Sequence, residues 1–306
     1  MIEFGSQPSD IAERQNEEPY QRLLKARQWR WAVAVRWQTA QLGIVLAAPI
    51  LAITLGLAVP AAKPFISFLA VCLTIADVTL IDRAYKAALK SAARASEIFD
   101  VQLLKLSWHN LVAGKRPTPE ETDSAARGWE RLRFKRPILN WYAIDVDKVP
   151  MGLARVICQR TNLTYDSDLR SLYRTLLDVL AIAVAIIIIV VGLLSRMIFA
   201  DFVLAAWVPA APFLTWALRE RFRQSDAIKA NESVIQEAEN LIEAVIARTC
   251  ADDVCLVRSR SLQDAIFQRR ATTVLLFPGI YHCRRADAER DMLAAADYWV
   301  NKAMSN

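Results

Sequence analysis

The chain has 306 residues, 54% hydrophobic and 23% charged, with a net charge of +6 and a mean hydropathy of +0.20. It is too apolar for an ordinary soluble domain and too charged to lie wholly in lipid, so its apolar and polar residues must be segregated along the sequence. Five cysteines in no regular ladder argue against a disulfide framework, and Cys250 and Cys255, five apart with no His nearby, lack the ligands of a zinc site, so no metal is expected.

Residues 1–41 are polar and charged without an apolar core segment, so no cleavable leader is expected. Trp29, Trp31 and Trp37 are interleaved with Arg27, Arg30 and Arg36, which reads as an anchor in the headgroup layer in preference to a nucleic-acid patch. Four apolar blocks follow: Leu42 to Val59, Pro64 to Ile81, Leu176 to Leu194 and Phe202 to Leu218, none containing Lys or Arg. At ~1.5 Å per residue each approaches the ~30 Å thickness of a hydrocarbon core. The fold class expected is an all-α membrane protein, with four transmembrane helices in two hairpins and a mainly helical cytoplasmic region. Its parts are an N-terminal interfacial segment 1–41, a hairpin 42–81, a cytoplasmic region 82–175, a second hairpin 176–218 and a C-terminal cytoplasmic region 219–306.

In the second block the apolar residues outweigh Asp77, which lies off-centre where an acid costs less. The fourth block carries Pro209 and Pro212, compatible with a kinked span or with a re-entrant segment. Fifteen Lys and Arg flank the block ends that face the long segments, from Lys25 to Arg36, Arg83 to Arg94, Arg160 to Arg174 and Arg219 to Lys229, against Lys63 and Arg196 at the two hairpin tips. This bias places both termini and the middle region in the cytoplasm.

After the second block, Asp82 to Ala113 lacks Pro and Gly, and Tyr85, Leu89, Ala92, Ala95, Phe99, Leu103 and Leu106 form one helical stripe. Ile228, Ile235, Ala238, Ile242, Val245 and Ile246 form another beyond the fourth block. The first of these helices starts with Arg83, Lys86, Lys90 and Arg94, the second holds Glu232, Glu237, Glu239 and Glu243, and the two are expected to pair as a stalk. Thr118, Pro119, Glu120 and Glu121 predict a capped helix running toward Arg133. Ile138 to Val149 reads as a loop or a short extended piece, Asp166 to Asp168 as the start of the helix entering the third block, and Ser261 as the cap of a helix through Ala271. Pro278 and Gly279 turn the chain into a last helix, Ala286 to Lys302.

The sequence holds no phosphate-binding loop, nucleophile elbow or HExxH, and no enzyme or cofactor is expected. His109 and His282 lack an acid or nucleophile at fixed spacing and read as structural. Asp77 and Asp178, near the cytoplasmic ends of the second and third blocks, are the intramembrane polar candidates. They either reach interfacial water and pair with Arg174 or Lys86, or ring an inner pore mouth. Arginines such as Arg131, Arg155, Arg160, Arg258, Arg269 and Arg284 suit a nucleotide or anionic lipid, though a solvated membrane-facing surface has the same composition.

Several segments carry a resemblance: Ile11 to Asn16, the Trp141-Tyr142 pair, Ala154 to Leu163 leading to Asp166 and Arg170, and Leu262 to Phe267 with Arg269 or Arg270. Together they resemble the SMODS-associating four-TM effectors. That resemblance implies a pore-forming effector in cyclic-oligonucleotide-based antiphage defence, with a lipid bilayer and a cyclic nucleotide as partners, homo-oligomers for the pore, and no direct DNA or RNA binding. It carries over no catalytic set. Arg155, Gln159, Arg160, Asn162 and Asp166 are motif positions with two roles open to them, ligand binding or folding of the joint above the third block. A non-conducting membrane scaffold and a small transporter relaying through Asp77 and Asp178 are the competing readings.

Overall fold

The computed structural model describes residues 8–58, 63–194, 198–199, 208–273, 275 and 280–305. The described chain is all-α: α1 (Ile11–Arg14), α2 (Glu18–Ala58), α3 (Lys63–Ala76), α4 (Asp82–Leu103), α5 (Asn110–Ala113), α6 (Pro119–Trp129), α7 (Met151–Leu194), α8 (Val208–Ile246), α9 (Asp252–Thr272) and α10 (Ile280–Met304). A π-helical turn, Asp77–Ile81, joins α3 to α4 without a break. Among the described residues the one extended pairing is a bridge between Pro8 and Pro150.

The long helices run through the expected boundaries at 41/42, 175/176 and 218/219, so apolar blocks and charged extensions form single rods. The rods pack pairwise, α2 along α4 and α7 along α8, while α6 lies on α2, α10 on α7, and α9 fills the space between α4, α7 and α8. One core unites them, with Leu24, Phe99, Leu103, Tyr142, Ile157, Leu241 and Ile242 fully or almost fully buried. Above this body the apolar side chains turn outward. Phe65 and Phe68 of α3 are 77% and 70% exposed, Leu193 of α7 is 73% exposed, and Ile182, Ile186 and Ile187 follow the same pattern. Among the described residues α7 is the one helix long and apolar enough to cross a membrane, and only 12% of its apolar stretch is buried, unlike the core helix of a soluble protein.

Local signals held where they were local. Thr118 accepts a hydrogen bond from Glu121 N at 3.2 Å and the Glu121 carboxylate accepts from Thr118 N at 3.1 Å, which is the capping box. The helix it starts ends at Trp129, short of Arg133. Three expectations are corrected. The helix after the second block ends at Leu103, because Lys105 takes a left-handed conformation (φ 52°) and the chain turns before α5. The helix entering the third block begins at Met151, far ahead of Asp166, since residues 151–163 are buried on nearly every side. Ser261 lies inside α9 with its hydroxyl on Val257 O at 3.1 Å, and Ala251 precedes the true start.

The stalk is also rearranged. Glu239, Glu237 and Glu243 of α8 pair with Arg160 of α7, Arg258 of α9 and Lys302 of α10, while Lys86 pairs with Asp82 on its own helix. Trp31 donates to Ser96 Oγ at 2.9 Å and Trp29 packs on Ala26, Ala125 and Ala126, so both serve the helical body and Trp37, 39% exposed, is left for an interface. Cys250 and Cys255 form a disulfide across the turn from α8 to α9, one local link where no framework was expected. Pro209 and Pro212 of the fourth block both lie in α8, which is helical from Val208 onward, while residues 202–207 of that block lie outside the described residues.

Candidate functional site

The second half of α4 is buried on all sides, and it carries Glu97 and Asp100, neither with any exposed surface. Buried carboxylates survive only with partners. Arg260 of α9 reaches Glu97 at 2.7 Å and its own neighbour Asp264 at 2.6 Å. Gln263 donates to Glu97 at 2.8 Å and lies 3.4 Å from Asp100, and Arg270 pairs with Asp100. Burial pushes the Glu97 carboxyl above the ordinary carboxylate range although Arg260 and Gln263 pull the other way. For Arg270 burial acts downward, but the Asp100 carboxylate outweighs it and holds the guanidinium above its usual value.

Tyr142 joins this ionic pair of helices to the rest. Its hydroxyl donates to Asp100 at 2.9 Å and accepts from Asn162 Nδ2 at 2.7 Å, while its backbone exchanges two hydrogen bonds with the Gln15 amide at 2.7 and 3.1 Å. Burial, and then Asp100, push the phenol well above its ordinary range. One turn away on α7, Gln159 donates to Ser259 O at 2.9 Å and Gln263 at 3.2 Å, and accepts from Ser259 Oγ at 2.9 Å. Arg27 of α2 stacks on Trp141 with 4.2 Å to the ring centroid, and burial with Arg270 nearby lowers it to about 10. The segments around Gln15, Trp141-Tyr142, Gln159 and Gln263, scattered over some 250 positions of sequence, therefore meet in one buried polar joint.

Residues 9–298 match the SMODS-associating 4TM effector domain. The chain belongs to this family. It is also 21% identical over 206 residues to a probable CBASS effector molecule of Bacillus cereus strain VD146, covering 67% of this chain and 68% of the relative. No solved structure matches it.

In this effector Arg155 and Gln159 of the five motif positions of α7 are buried, and Arg160, Asn162 and Asp166 are partly so. Arg155 donates to Leu104 O at 2.7 Å, holding the turn that ends α4, and burial lowers its guanidinium to about 10. Arg160 binds Glu239 of α8 at 2.6 Å beside the Trp299 ring. Asp166 accepts from Arg170 at 2.7 Å and Asn231 of α8 at 3.1 Å; burial opposes its ionisation, yet Arg170 and these hydrogen bonds keep it below its usual value. Arg170 reaches on to Gln224 at 2.7 Å, extending the joint toward the membrane end of α8.

Of the two acids expected to lie within the spans, Asp178 is paired with Arg221 of α8 at 2.9 Å, a partner other than the expected Arg174 or Lys86. Asp77 sits in the π-helical turn beside Gln41 of α2. The structure does not bring the two acids into one cluster with each other or with the motif residues. His109, expected to lack an acid, has Asp264 Oδ2 2.7 Å from its Nδ1, and with Arg260 it fastens the turn after α4 to α9. The sequence reading passed over Glu97 and Asp100. Their signal was present: two acids three apart within Ile98, Phe99, Val101 and Leu103, so that apolar residues surround them on the helix. Among the described residues no group of three or more His, Cys, Asp and Glu could hold a metal ion.

Proposed function

We propose that this effector crosses the bacterial inner membrane four times as two helical hairpins, with both termini and the helical body in the cytoplasm. A cyclic oligonucleotide acting on that body then opens a leak in the membrane, as part of antiphage defence. The observation that carries the reading is the continuity of α2, α4, α7 and α8: each leaves the joint as a charged, packed rod and continues toward apolar residues exposed on α3 and α7. Apolar faces of that size are stable in hydrocarbon and unstable in water.

The joint supplies the coupling. Most of its donors and acceptors are spent on one another, so it holds α2, α4, α7 and α9 in one register, and a shift of one helix must exchange partners along the others. For Arg155, Gln159, Arg160, Asn162 and Asp166 this favours the folding role over direct ligand contact. Four spans cannot enclose a wide channel, so the conducting form is a homo-oligomer, and the nucleotide must bind the open assembly more tightly than the closed one. The reading requires no catalysis and no cofactor.

The test is expression in bacteria with and without a cyclic-nucleotide synthetase, following membrane potential and entry of a DNA-binding dye. Depolarisation that depends on the synthetase is expected. Nucleotide binding with an intact potential would support the non-conducting scaffold instead.

A further inference from the structure

A second feature lies apart from the joint. Helices α2, α4 and α6, with the loop after α5, enclose a cavity of about 160 Å³ into which Arg30, Arg94, Lys115 and Arg116 converge, with Ser91 and Thr122 as hydroxyl neighbours. Arg30 lies 3.5 Å from Glu121 O and Arg94 donates to Ala113 O at 3.1 Å. Among the described residues none of the four cations is in ion-pair contact with a carboxylate, whereas Arg260 and Arg270 of the joint each hold one. Glu121 also lines the cavity, but its carboxylate closes the capping box on Thr118 N.

The cations are placed by packing. Gly114 adopts φ +73°, and a Cβ there would stand 3.3 Å from the Arg94 guanidinium, so the loop lies directly on that side chain. Trp108 Nε1 pins the same loop from the other side through Gly114 O at 2.9 Å. Lys115 and Arg116 follow at once and line the cavity ahead of α6, whose helix dipole adds positive potential at its start. Four cations against the single carboxylate of Glu121 leave an excess of positive charge, and an anion in their midst relieves that repulsion.

We infer that this cavity is a phosphate-ester site. Its volume, about that of five waters at ~30 Å³ each, has room for one phosphate group and the waters that solvate it. A nucleotide would place one phosphodiester inside and its bases across the mouth. A lipid headgroup offers the same chemistry, but the position disfavours it. Arg30 precedes the first apolar block at Leu42 and Arg94 follows the second at Ile81, which at 1.5 Å per residue puts the cavity roughly 20 Å below the hydrocarbon, beyond the interfacial layer. Arg94 is three residues ahead of Glu97 on the same helix, so an anion drawn onto Arg94 pulls on the helix that carries the joint. That the phosphate comes from a nucleotide signal rests on the function proposed above; the site itself does not.

The test melts the full-length chain in detergent with sodium phosphate or pyrophosphate against sodium chloride of equal ionic strength. Phosphate should raise the melting temperature by a few degrees beyond chloride. Lys115→Gln/Arg116→Gln, on an exposed loop, should melt like the wild type without phosphate and lose the shift, while Arg131→Gln/Arg133→Gln should keep it. No phosphate-specific shift in the wild type, or an undiminished shift in Lys115→Gln/Arg116→Gln, would overturn the site. So would stabilisation by phosphatidylglycerol over phosphatidylcholine nanodiscs without a response to soluble phosphate. Synthetase-driven depolarisation that survives Lys115→Gln/Arg116→Gln would reject a nucleotide signal as the source of the phosphate and leave the leak standing; a phosphate shift without any depolarisation would keep the site and reject the leak.

Discussion

Asp100 serves Arg270, Tyr142 and Gln263 at once, so removing its carboxylate strands donors on α9 and on the Tyr142 segment. Breaking a buried pair from one side costs about 3–5 kcal/mol, and Asp100→Ala should lose that much stability in thermal melts of the detergent-solubilised protein. Glu97→Gln is milder, because Arg260 keeps Asp264 and the amide keeps the shape. Burial raises the Glu97 carboxyl above its unfolded value near 4.5, so the folded chain binds this proton more tightly than the unfolded chain. Its contribution to stability is full below that value and declines as pH rises through the folded value. The variant lacks that decline, and the wild-type advantage in melting temperature should shrink over that window; an advantage that grows with pH would contradict the assignment. At this scale Arg155, Gln159, Asn162 and Asp166 could be picked out in the sequence as a group, since they share one helix. Their partners could not, because Leu104, Ser259, Tyr142 and Asn231 lie far off in sequence and only the fold brings them near.

Elements were legible where a few adjacent residues decide them. Thr118 and Glu121 announce α6, and Thr118→Ala should cost about 1 kcal/mol of stability by removing the cap. The end of α4 carries no such mark: neither Gly nor Pro stands at Leu104 or Lys105, and the turn is held by Arg155 from α7. The start of α7 did carry one, Pro150 just before Met151, and it was outweighed by the acidic cluster at Asp166. Helix packing adds a further prediction. A Cβ on Gly128 would meet the Trp29 ring at 2.5 Å, so Gly128→Ala must push α6 off α2. The overpacking should cost about 1–3 kcal/mol despite the better helix former, and shift Trp emission to the red; unchanged emission and stability would show that the contact is loose.

For the whole molecule, the four apolar blocks and the Lys and Arg that flank them were readable because both follow from composition along the chain. Which rods touch was not readable. The stripes on α4 and α8 fit each other as well as they fit their actual neighbours, and the choice was made by hairpin partners that already run side by side, α2 with α4 and α7 with α8, with α9 inserted between the pairs. The most direct measurement replaces the native cysteines and places single ones at the two tips, Lys63→Cys and Arg196→Cys, and near the C-terminus, Ser305→Cys. A membrane-impermeant maleimide applied to spheroplasts should label both tips, and Ser305→Cys only after lysis. Labelling of Ser305→Cys in intact spheroplasts, or protection of either tip until lysis, would contradict the two-hairpin arrangement and the cytoplasmic joint that depends on it.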